Sequence, residues 1–416
     1  MEFSFVRDGT VPAKSHILIV SHVIPYPPAA GNEIRIYNLL SWFRSQGYTT
    51  TLVLKPLGDV EVSNQCILGL KDIVDSLYIF DNRNRISQGR SKGTGHISSR
   101  IVDADFTDPH LAAVQDGFCP EWFAAEVAEI IGATCPNVVI AQYVFMSRIL
   151  SLAECSKALK IVDSIDLFCR KQSTVEQYGI KNFGLSLTEK QESVLLRRAD
   201  VILAIQHTEY TEIVKLVQDR KVLITSLDLD VHHYRAEGMV HGRVLVVASG
   251  NEFNVRGTQD FIDYAWPLVR ERNPTAHLRV IGRVCQQIQS DDPSVSLLGF
   301  VENLNAEYEQ AEVVINPCRV GTGLKIKTVE ALARGKAHIA WPAAADGLRE
   351  LGDVPAVIIT NIVDFADAIR SLQTDPSRRM LLEKAAHRFV GENFRAEHVY
   401  ASLTTEIDAH YRIILK

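Results

Sequence analysis

The residues best suited to chemistry lie in the stretch EVVINPCRVGTGLKIKTVEALARGKAHIAW, residues 312–341. Its pattern predicts a strand, a glycine-flanked turn at 321–323, and a helix that holds Lys325, Lys327 and Glu330. A glycine-rich turn before a helix exposes free N–H groups, and two nearby lysines add positive charge, so this stretch could bind phosphate. A carboxylate one or two turns further on could accept hydrogen bonds from a ribose diol. The same spacing also fits an ordinary amphipathic helix whose lysines are solvated and whose glutamate pairs with one of them.

Two more glycine turns could bring the backbone close to an anion. In HILIVSHVIPYPPAAGNEIR, a strand leads through a proline-rich turn to Gly31 and a helix that begins near Asn32. In SGNEFNVRGTQDF, a strand ends at Gly250, and Arg256 and Gly257 precede a helix. A guanidinium can bind phosphate oxygens as a fork. Neither turn identifies a site by itself. The chain lacks the G-x-G-x-x-G and G-x-x-x-x-G-K-[ST] patterns, which argues against a standard dinucleotide binder or a P-loop NTPase.

A basic stretch, NRNRISQGRSKGTGHISSRIV, occupies residues 82–102 and contains no acidic residue. Its cationic residues are Arg83, Arg85, Arg90, Lys92 and Arg100. Its glycine and serine content predicts a long mobile loop. Two interpretations stay open: a solvated surface loop, or a local basic patch that faces an anionic acceptor or lipid headgroups.

Other classes of catalytic site lack a recognisable motif. D-x-D occurs at Asp103 and Asp105 and again at Asp228 and Asp230, but the motif is short, and we interpret both copies as structural. No H-E-x-x-H or C-x-x-C occurs, and the one G-x-S-x-G match, at 89–93, lies in the basic stretch rather than between a predicted strand and a helix, so the sequence predicts neither a metal site nor a serine-hydrolase nucleophile. The seven cysteines are interpreted as reduced core residues of a cytosolic protein.

The secondary-structure elements that must position the candidate site residues can be predicted from short apolar runs that alternate with helical patterns. The strand-like runs are HILIVS, TTTLVL, SLYIF, NVVIA, LKIVD, DVILAI and KVLIT, followed after a polar joint at 226–242 by RVLVVASG, HLRVIGR, VSLLG, EVVINP, AHIAW and AVIIT. Buried strands that alternate with helices are typical of parallel sheets, so we predict two α/β units. The chain is predicted to close with a long helical stretch from about Pro376 to Lys416.

Length, charge and hydropathy exclude several classes of protein. The 416 residues suggest two or three domains, and the apolar (46%) and charged (23%) fractions are those of a soluble globular protein. A formal net charge of −6 argues against a general nucleic-acid binder. No apolar run is long enough to span a membrane, and the first residues show no signal-peptide pattern, so we expect a cytoplasmic protein.

The order of these motifs resembles that of the retaining nucleotide-sugar glycosyltransferases of family 4. The resemblance is strongest in NPCRVGTGLKIKTVEALARGKAHIA and extends over most of the chain through PYPPAAGNEIR, LRRADVILAIQ, DVHHY, LRVIGR and LLGFVENLNAEYEQAEVVINP. It implies the α/β GT-B fold, with two Rossmann-like domains whose parallel sheets face each other across a cleft. Residues 1–228 would form the acceptor-side domain and residues 229–392 the nucleotide-sugar-binding domain. A C-terminal helix at about 393–416 would pack back onto the first domain.

The resemblance also implies roles for individual residues. Glu330 would bind the ribose hydroxyls, while Arg256 and Lys325 or Lys327 would bind the diphosphate, which makes Arg256, Lys325 and Glu330 the implied catalytic residues. Further donor-site positions would be Gly31, Asn32, Gly250, Gly257, Phe300, Val301, Thr322, Gly323 and Leu324. The acceptor side would comprise Gln142, Tyr143, Arg83, Arg85, Arg90 and Lys92. No metal or other cofactor is implied, because cationic side chains and helix N-termini would neutralise the leaving diphosphate.

Three positions depart from the family pattern. Thr322 stands where the first of two glutamates is usual, and Asn251 stands where a basic residue often follows the position of Gly250. Gln142 falls near the position of an expected histidine that contacts the sugar. These departures keep alternatives open beside a retaining glycosyltransferase. One is a GT-B accessory protein without transfer activity, and another is an enzyme like a nucleotide-sugar epimerase.

The expected partners are a nucleotide sugar and an unidentified hydroxyl acceptor, which could be a glycan, a lipid-linked saccharide or a small molecule. No nucleic acid is expected as a partner. The basic stretch would permit weak peripheral contact with a membrane, so the expected location is the cytoplasm, including the inner face of the membrane.

Overall fold

A computed structural model of the protein describes residues 1–5, 14–81, 108–176, 185–231, 238–320 and 324–414. Contacts between residues divide the chain into two compact units. Unit 1 comprises Met1–Gln172, Asn182–Leu227 and Tyr400–Lys416. Unit 2 comprises Ser173–Lys181 and Asp228–Val399.

Unit 1 is built on an eight-stranded sheet with the order β1-β4-β3-β2-β5-β6-β7-β8. The strands are β1 (Glu2–Ser4), β2 (His16–Ser21), β3 (Thr49–Leu54), β4 (Ser76–Ile79), β5 (Val138–Gln142), β6 (Leu159–Asp163), β7 (Val201–Ala204) and β8 (Lys221–Ile224). The short strand β1 pairs antiparallel with β4, and the other pairs are parallel. Residues 17–20 of β2 are fully buried, as expected when helices cover both faces of a parallel sheet.

Unit 2 is built on a six-stranded, fully parallel sheet with the order β11-β10-β9-β12-β13-β14. Its strands are β9 (Arg243–Val247), β10 (His277–Ile281), β11 (Val295–Gly299), β12 (Val313–Asn316), β13 (His338–Ala340) and β14 (Val357–Ile358). The two parallel sheets confirm the predicted α/β architecture. The largest buried side chain of this unit is Trp266, whose indole N–H donates to Ser294 Oγ at 2.9 Å.

The helices connect and cover these strands. In chain order they are α1 (Gly31–Ser45), α2 (Asn64–Leu70), α3 (Pro109–Phe118), α4 (Glu121–Thr134), α5 (Phe168–Glu176), α6 (Glu189–Leu196), α7 (His207–Leu216), α8 (Glu252–Asp260), α9 (Trp266–Arg272), α10 (Leu304–Gln310), α11 (Ile326–Ala333), α12 (Asp364–Thr374), α13 (Pro376–Asn393), α14 (Ala396–Val399) and α15 (Ala401–Ile414). Short 3₁₀ helices lie at Val144–Ser151, Ala153–Lys157, Arg283–Gln286, Pro342–Ala345 and Arg349–Leu351. A π-helical turn, Phe261–Ala265, joins α8 to α9 just before Pro267, which has no N–H to donate.

The closing helical stretch predicted from Pro376 to Lys416 is three helices rather than one. The break follows α13 at Phe394, whose side chain is fully buried and whose carbonyl oxygen accepts a hydrogen bond from the N–H of Leu229 at 2.8 Å. The backbone leaves the helical path at this residue, with φ −120° and ψ 11°. The last helix, α15, belongs to unit 1, where Asp408 accepts a hydrogen bond from Tyr48 at 2.7 Å. No helix in the part of the chain described is both long and apolar enough to span a bilayer.

Candidate functional site

The carboxyl edge of the unit 2 sheet is the natural place for a ligand. Along the sheet, β10 and β11 extend to one side of β9, whereas β12, β13 and β14 extend to the other. The strand order therefore changes direction between β9 and β12. In open parallel sheets, ligands bind beyond the carboxyl ends of the strands at such a switch point.

Glycine at two positions lets the loops at this edge approach each other closely. A Cβ atom on Gly257 would lie 2.6 Å from the carbonyl oxygen of Pro317 and 3.0 Å from Cα of Cys318. A Cβ atom on Gly250 would lie 2.8 Å from Nε2 of Gln287, which donates a hydrogen bond to the Gly250 carbonyl oxygen. Helix α8 is thus packed backbone to backbone against the loop after β12, whereas the loop after β9 contacts residues that follow β10.

This close packing brings two predicted phosphate ligands towards one loop. Arg256 is exposed and precedes Gly257, which contacts Cys318. Burial raises the pKa of the Cys318 thiol, and the positive charge of Lys325 opposes that shift, so Lys325 also lies near Cys318. Lys325 likewise opposes the rise in the pKa of Asp346 that burial causes. The part of α8 that carries Arg256 therefore packs against the loop after β12, and Lys325 lies at the end of that loop.

The predicted helix carries its residues in a slightly different register from the one expected. It begins at Ile326, so Lys325 is the N-cap residue and Lys327 lies in the first turn. Nζ of Lys327 lies 3.0 Å from Oε2 of Glu330. The Glu330 side chain is only 8% exposed, whereas that of Lys327 is 32% exposed. A nearly buried carboxylate whose partner reaches solvent can exchange that partner for a ligand.

A hydrogen-bond network that the sequence analysis did not identify fixes α11 against the sheet. Asn316, the last residue of β12, donates from Nδ2 to Thr328 Oγ1 at 3.1 Å and accepts at Oδ1 from the N–H of Cys318 at 3.2 Å. Nε2 of His338 lies 3.3 Å from the same threonine hydroxyl. Burial lowers the pKa of His338 to about 4, so the ring is neutral near pH 7. These single residues on β12, α11 and β13 form no local sequence pattern.

A second unpredicted group near Glu330 consists of Arg334, which ends α11, and Tyr308 of α10. The Arg334 guanidinium stacks 4.4 Å from the ring centroid of Tyr308 and donates to the carbonyl oxygen of Glu330 at 3.3 Å. Tyr308 is fully buried, and its hydroxyl has no hydrogen-bond partner among the described residues. Burial and the nearby Glu330 carboxylate raise the pKa of that hydroxyl. Glu330 is therefore held among cationic and aromatic groups on a rigid helix.

The residues expected to border a base lie at the end of β11. Phe300 is 88% exposed, and Val301 packs against a buried cluster that includes Tyr308 and Val314. An exposed aromatic ring at a sheet edge offers a face for stacking against a planar ligand. Leu324 is buried. Thr322 and Gly323 lie outside the described residues.

At the carboxyl edge of the unit 1 sheet, a predicted donor-site residue, Asn32, lies near a predicted acceptor-side residue, Tyr143. Tyr143 follows β5 with φ 62° and ψ 153°, an uncommon conformation for a residue other than glycine. Its hydroxyl lies near the side chain of Asn32, next to Gly31, and that side chain opposes the rise in the hydroxyl pKa that burial causes. Gln142 is fully buried, and neither of its amide atoms has a partner among the described residues. An unpartnered buried amide at a sheet edge can bind a polar ligand group.

Two side chains in the first turns of α1 anchor the turn at Gly31. Oε2 of Glu33 accepts hydrogen bonds from the N–H groups of Ala29 and Ala30 at 2.9 and 2.7 Å. One turn further, the fully buried Arg35 makes a forked ion pair with Asp163 at the end of β6, with distances of 2.6–3.0 Å. The remaining arm of the guanidinium donates to the carbonyl oxygen of Thr225 at 2.6 Å. Arg35 thus fixes the start of α1 against β6 and against the segment that follows β8.

The basic stretch with Arg83, Arg85, Arg90 and Lys92, and the motif at Asp103 and Asp105, lie outside the described residues. Within the described ranges, no group of three or more histidine, cysteine, aspartate or glutamate side chains is placed to hold a metal ion. The seven cysteines include no disulfide among these residues.

Comparisons with known proteins bear on both units. Residues 241–375 match the family model of the glycosyl transferases, group 1. No curated protein sequence matches the chain. Among solved structures, sucrose-phosphate synthase from Thermosynechococcus elongatus is similar with a TM-score of 0.64 and 14% identity, covering 97% of this chain and 99% of that one. HepE of Anabaena, solved with UDP and glucose, is similar with a TM-score of 0.64 and 12% identity, covering 95% and 100%. TarM, known from S. aureus, gives a TM-score of 0.68 and 11% identity, covering 94% and 98%.

These likenesses show that the chain has the GT-B fold over nearly its whole length. The family match covers the segment that contains Gly250, Arg256, Phe300, Lys325 and Glu330. The part of unit 2 that matches the group 1 glycosyl transferases therefore includes the residues at the carboxyl edge of its sheet.

Proposed function

We propose that the protein is a glycosyltransferase that moves a sugar from a nucleoside diphosphate sugar to a hydroxyl acceptor with retention of the anomeric configuration. The observation that carries the proposal is the coincidence of the family match with the switch point of the unit 2 sheet. Neighbours of the same fold add support, because HepE has been solved with UDP-glucose and TarM with UDP.

In this proposal, the diphosphate of the donor binds at the loop after β12. Gly257 packs on that loop beside Arg256, and Lys325 lies near Cys318 of the same loop as the N-cap residue of α11, whose first N–H groups have no intrahelical partner. As the bond between the sugar and the diphosphate breaks, negative charge accumulates on the leaving group. Fixed cations and backbone N–H groups stabilise this charge without any rearrangement of solvent, which is how they would lower the barrier.

Glu330 is proposed to bind the ribose hydroxyls of the nucleotide. Its carboxylate is nearly buried, and within the part of the chain that the structure describes its one hydrogen-bond partner is Lys327 at 3.0 Å. Ribose hydroxyls would replace the lysine as partners of the carboxylate, and the partly exposed Lys327 would be released towards the diphosphate. Phe300 and Val301 would lie beside the base.

We propose that transfer requires no metal ion, because the two lysines and Arg256 supply the positive charge that a metal would otherwise provide. No side chain is proposed as a covalent nucleophile. The acceptor hydroxyl is proposed to bind at the carboxyl edge of unit 1, where Gln142 and Tyr143 lie, and it would belong to a glycan, a lipid-linked saccharide or a small molecule. A cytoplasmic location with weak peripheral membrane contact is part of the same proposal.

A second candidate function is a GT-B binding protein that has lost transfer activity. Asn251 favours it, because its side chain is the N-cap of α8 and accepts from the N–H of Asn254 at 2.9 Å, a structural use of a position where a basic residue is often found. An epimerase-like reaction on the donor is the remaining alternative from the sequence.

One assay separates the three functions. The full chain is incubated with a panel of labelled nucleotide sugars, with and without a mixture of candidate hydroxyl acceptors, and the nucleotide and sugar products are resolved. A glycosyltransferase releases nucleoside diphosphate and labels an acceptor with the α or β configuration of the donor retained. A binding protein shows neither product, and an epimerase converts the donor sugar without any acceptor.

A further inference from the structure

A buried lysine lies at the carboxyl edge of the unit 1 sheet. Lys55 is the first residue after β3, His22 the first after β2, and Tyr143 the first after β5. These three strands are neighbours in the order β3-β2-β5. Side chains alternate along a strand, and Val53, Val20 and Ala141, two residues earlier in each case, all belong to one buried cluster. Lys55, His22 and Tyr143 therefore project from the same face of the sheet.

Ring contacts join His22 to Tyr143, and the charge of Lys55 acts on His22. The His22 ring lies 5.2 Å from the Tyr143 ring and 5.0 Å from that of Phe118, measured between centroids. Burial and the positive charge of Lys55 together lower the pKa of His22 to about 4. The histidine ring is therefore neutral near pH 7.

Lys55 is an unusual cation for such a place. It is only 9% exposed, and burial lowers its pKa. No carboxylate of the described residues forms an ion pair with it. Among the described residues, its ammonium group donates one hydrogen bond of 3.4 Å, to the carbonyl oxygen of Gly117 near the C-terminus of α3. A long bond to one carbonyl uses one of the three donors of the ammonium group and offsets little of the cost of burying its charge.

Among the described residues, Lys55 has no carboxylate partner of its own, since Asp116 pairs with Arg148 at 2.7 Å, and further donors lie nearby. The charges that act on the neighbouring Cys119 thiol are Arg148, Arg198 and Lys55, and all three are positive. Nδ1 of His22 is buried and has no hydrogen-bond partner among the described residues. In the tautomer protonated at Nδ1, this neutral ring donates a hydrogen bond. A buried ammonium beside an unused N–H donor is a site suited to a negatively charged oxygen.

We propose that Lys55 and His22 form an oxyanion subsite of unit 1, which binds a phosphate or carboxylate group of the acceptor. The proposal rests on the glycosyltransferase function proposed above and specifies that the acceptor is anionic. The subsite shares no residue with the groups assigned to the donor diphosphate, Arg256, Lys325 and Lys327. A neutral sugar acceptor would leave the ammonium group of Lys55 without its partner.

The test uses inorganic phosphate as a probe of the full chain with UDP present at saturation, so that the proposed diphosphate site is occupied. Binding is measured by calorimetry, and acetate replaces phosphate in a second arm to distinguish a phosphate site from a general carboxylate site. The main variant is Lys55→Gln, whose amide N–H can still donate to the Gly117 carbonyl oxygen while the positive charge is lost. Lys55→Arg keeps the charge, and the exposed Lys71→Met removes a charge elsewhere in unit 1.

The wild type, Lys55→Arg and Lys71→Met are expected to bind phosphate, and Lys55→Gln is expected to bind it about tenfold more weakly or worse. The affinity for UDP should be the same in all four proteins. Absence of phosphate binding by the UDP-loaded wild type would overturn the proposal, as would equal binding by Lys55→Gln. Loss of UDP affinity in Lys55→Gln would also overturn it, because Lys55 would then belong to the donor site. Failure of the wild type to bind any nucleotide would instead contradict the proposed function.

If Lys55 serves only to cap α3, a different result follows. Lys55→Met, which removes both the charge and the hydrogen bond to Gly117, would then lower the free energy of unfolding without changing phosphate affinity. Under the oxyanion proposal, Lys55→Met and Lys55→Gln lose phosphate binding equally, whatever their stabilities.

Discussion

The carboxyl edges of the two sheets are built in different ways. In unit 2, one turn and one helix supply Lys325, Lys327 and Glu330 within six consecutive residues. In unit 1, the corresponding edge takes one residue from the end of each neighbouring strand, as with Lys55, His22 and Tyr143. A site made by one loop and one helix leaves a local sequence pattern. A site assembled from separate strand ends exists only after the sheet has formed.

The two edges also differ in what holds them rigid. The unit 2 edge depends on backbone contacts, since Gly257 packs directly on Pro317 and Cys318. The unit 1 edge depends on buried charge, since Arg35 pairs with Asp163 in the interior. Substitutions at these positions should therefore damage the two edges by different mechanisms.

The largest expected effect is on the stability of unit 1. Arg35→Met leaves the Asp163 carboxylate buried without its partner, and we expect the free energy of unfolding to fall by about 3–5 kcal/mol. The control is Arg44→Met on the same helix, whose ion pair with Asp75 is partly exposed. It should cost about 1 kcal/mol or less. Urea denaturation measures both, and equal effects would show that the Arg35 pair does not anchor this edge.

The next effect is on transfer by unit 2. Glu330→Ala removes the proposed ribose partner, and we expect transfer activity to fall below detection, or at least about 100-fold, while the protein still folds. Folding should survive because the partner left behind, Lys327, reaches solvent. Glu302→Ala, an exposed glutamate of the same unit, is the control. A Glu330→Ala variant that kept most of its activity would remove the main assignment of the donor site.

A smaller effect should follow from filling the close backbone contact of unit 2. Gly257→Ala places a methyl group 2.6 Å from the carbonyl oxygen of Pro317, so the loop that receives Arg256 and Lys325 must move. We expect a loss of about 1–3 kcal/mol in stability together with weaker donor binding. The control is Gly132→Ala, because a Cβ atom there meets nothing within 4 Å. Unchanged nucleotide affinity in Gly257→Ala would show that the position of this loop does not matter for the donor.

The smallest effect concerns the basic stretch. Neutralising Arg83, Arg85, Arg90 and Lys92 together should raise KM for an anionic acceptor a few-fold and leave donor affinity unchanged. The effect should shrink with added salt, because exposed charges are screened beyond a Debye length of about 8 Å at physiological ionic strength. Steady-state kinetics at low and high salt provide the measurement. Identical kinetics at low salt would support the interpretation as a solvated loop.

Much of the fold could be predicted because buried parallel strands read as short apolar runs. The sequence indicates β2 and β3 with the bounds that the structure has. It does not indicate β1, because three residues paired at a sheet edge show no periodicity. It also does not indicate the break after α13. The hydrogen bond at that break joins Phe394 to Leu229, which is distant in sequence and leaves no local pattern.

The candidate site could be predicted only where its residues are close in sequence. Lys325, Lys327 and Glu330 form a motif, whereas Tyr308 and His338 support the same helix from other elements. Gln142 and Tyr143 came from a resemblance rather than from a pattern. Lys55 gave no signal, because a lysine after an apolar strand is usually solvated, and only burial distinguishes it.

The central claim is that cationic groups of unit 2 hold a nucleoside diphosphate without a metal. Its most direct test is a thermal-shift titration of the full chain with UDP, GDP, ADP and dTDP in excess EDTA, beside the corresponding nucleosides. We predict that at least one diphosphate stabilises the protein, by about 2.7 kcal/mol at 100 times its Kd, while its nucleoside has a much smaller effect. Absence of binding by every diphosphate, or binding that appears only when manganese or magnesium is added, would contradict the account.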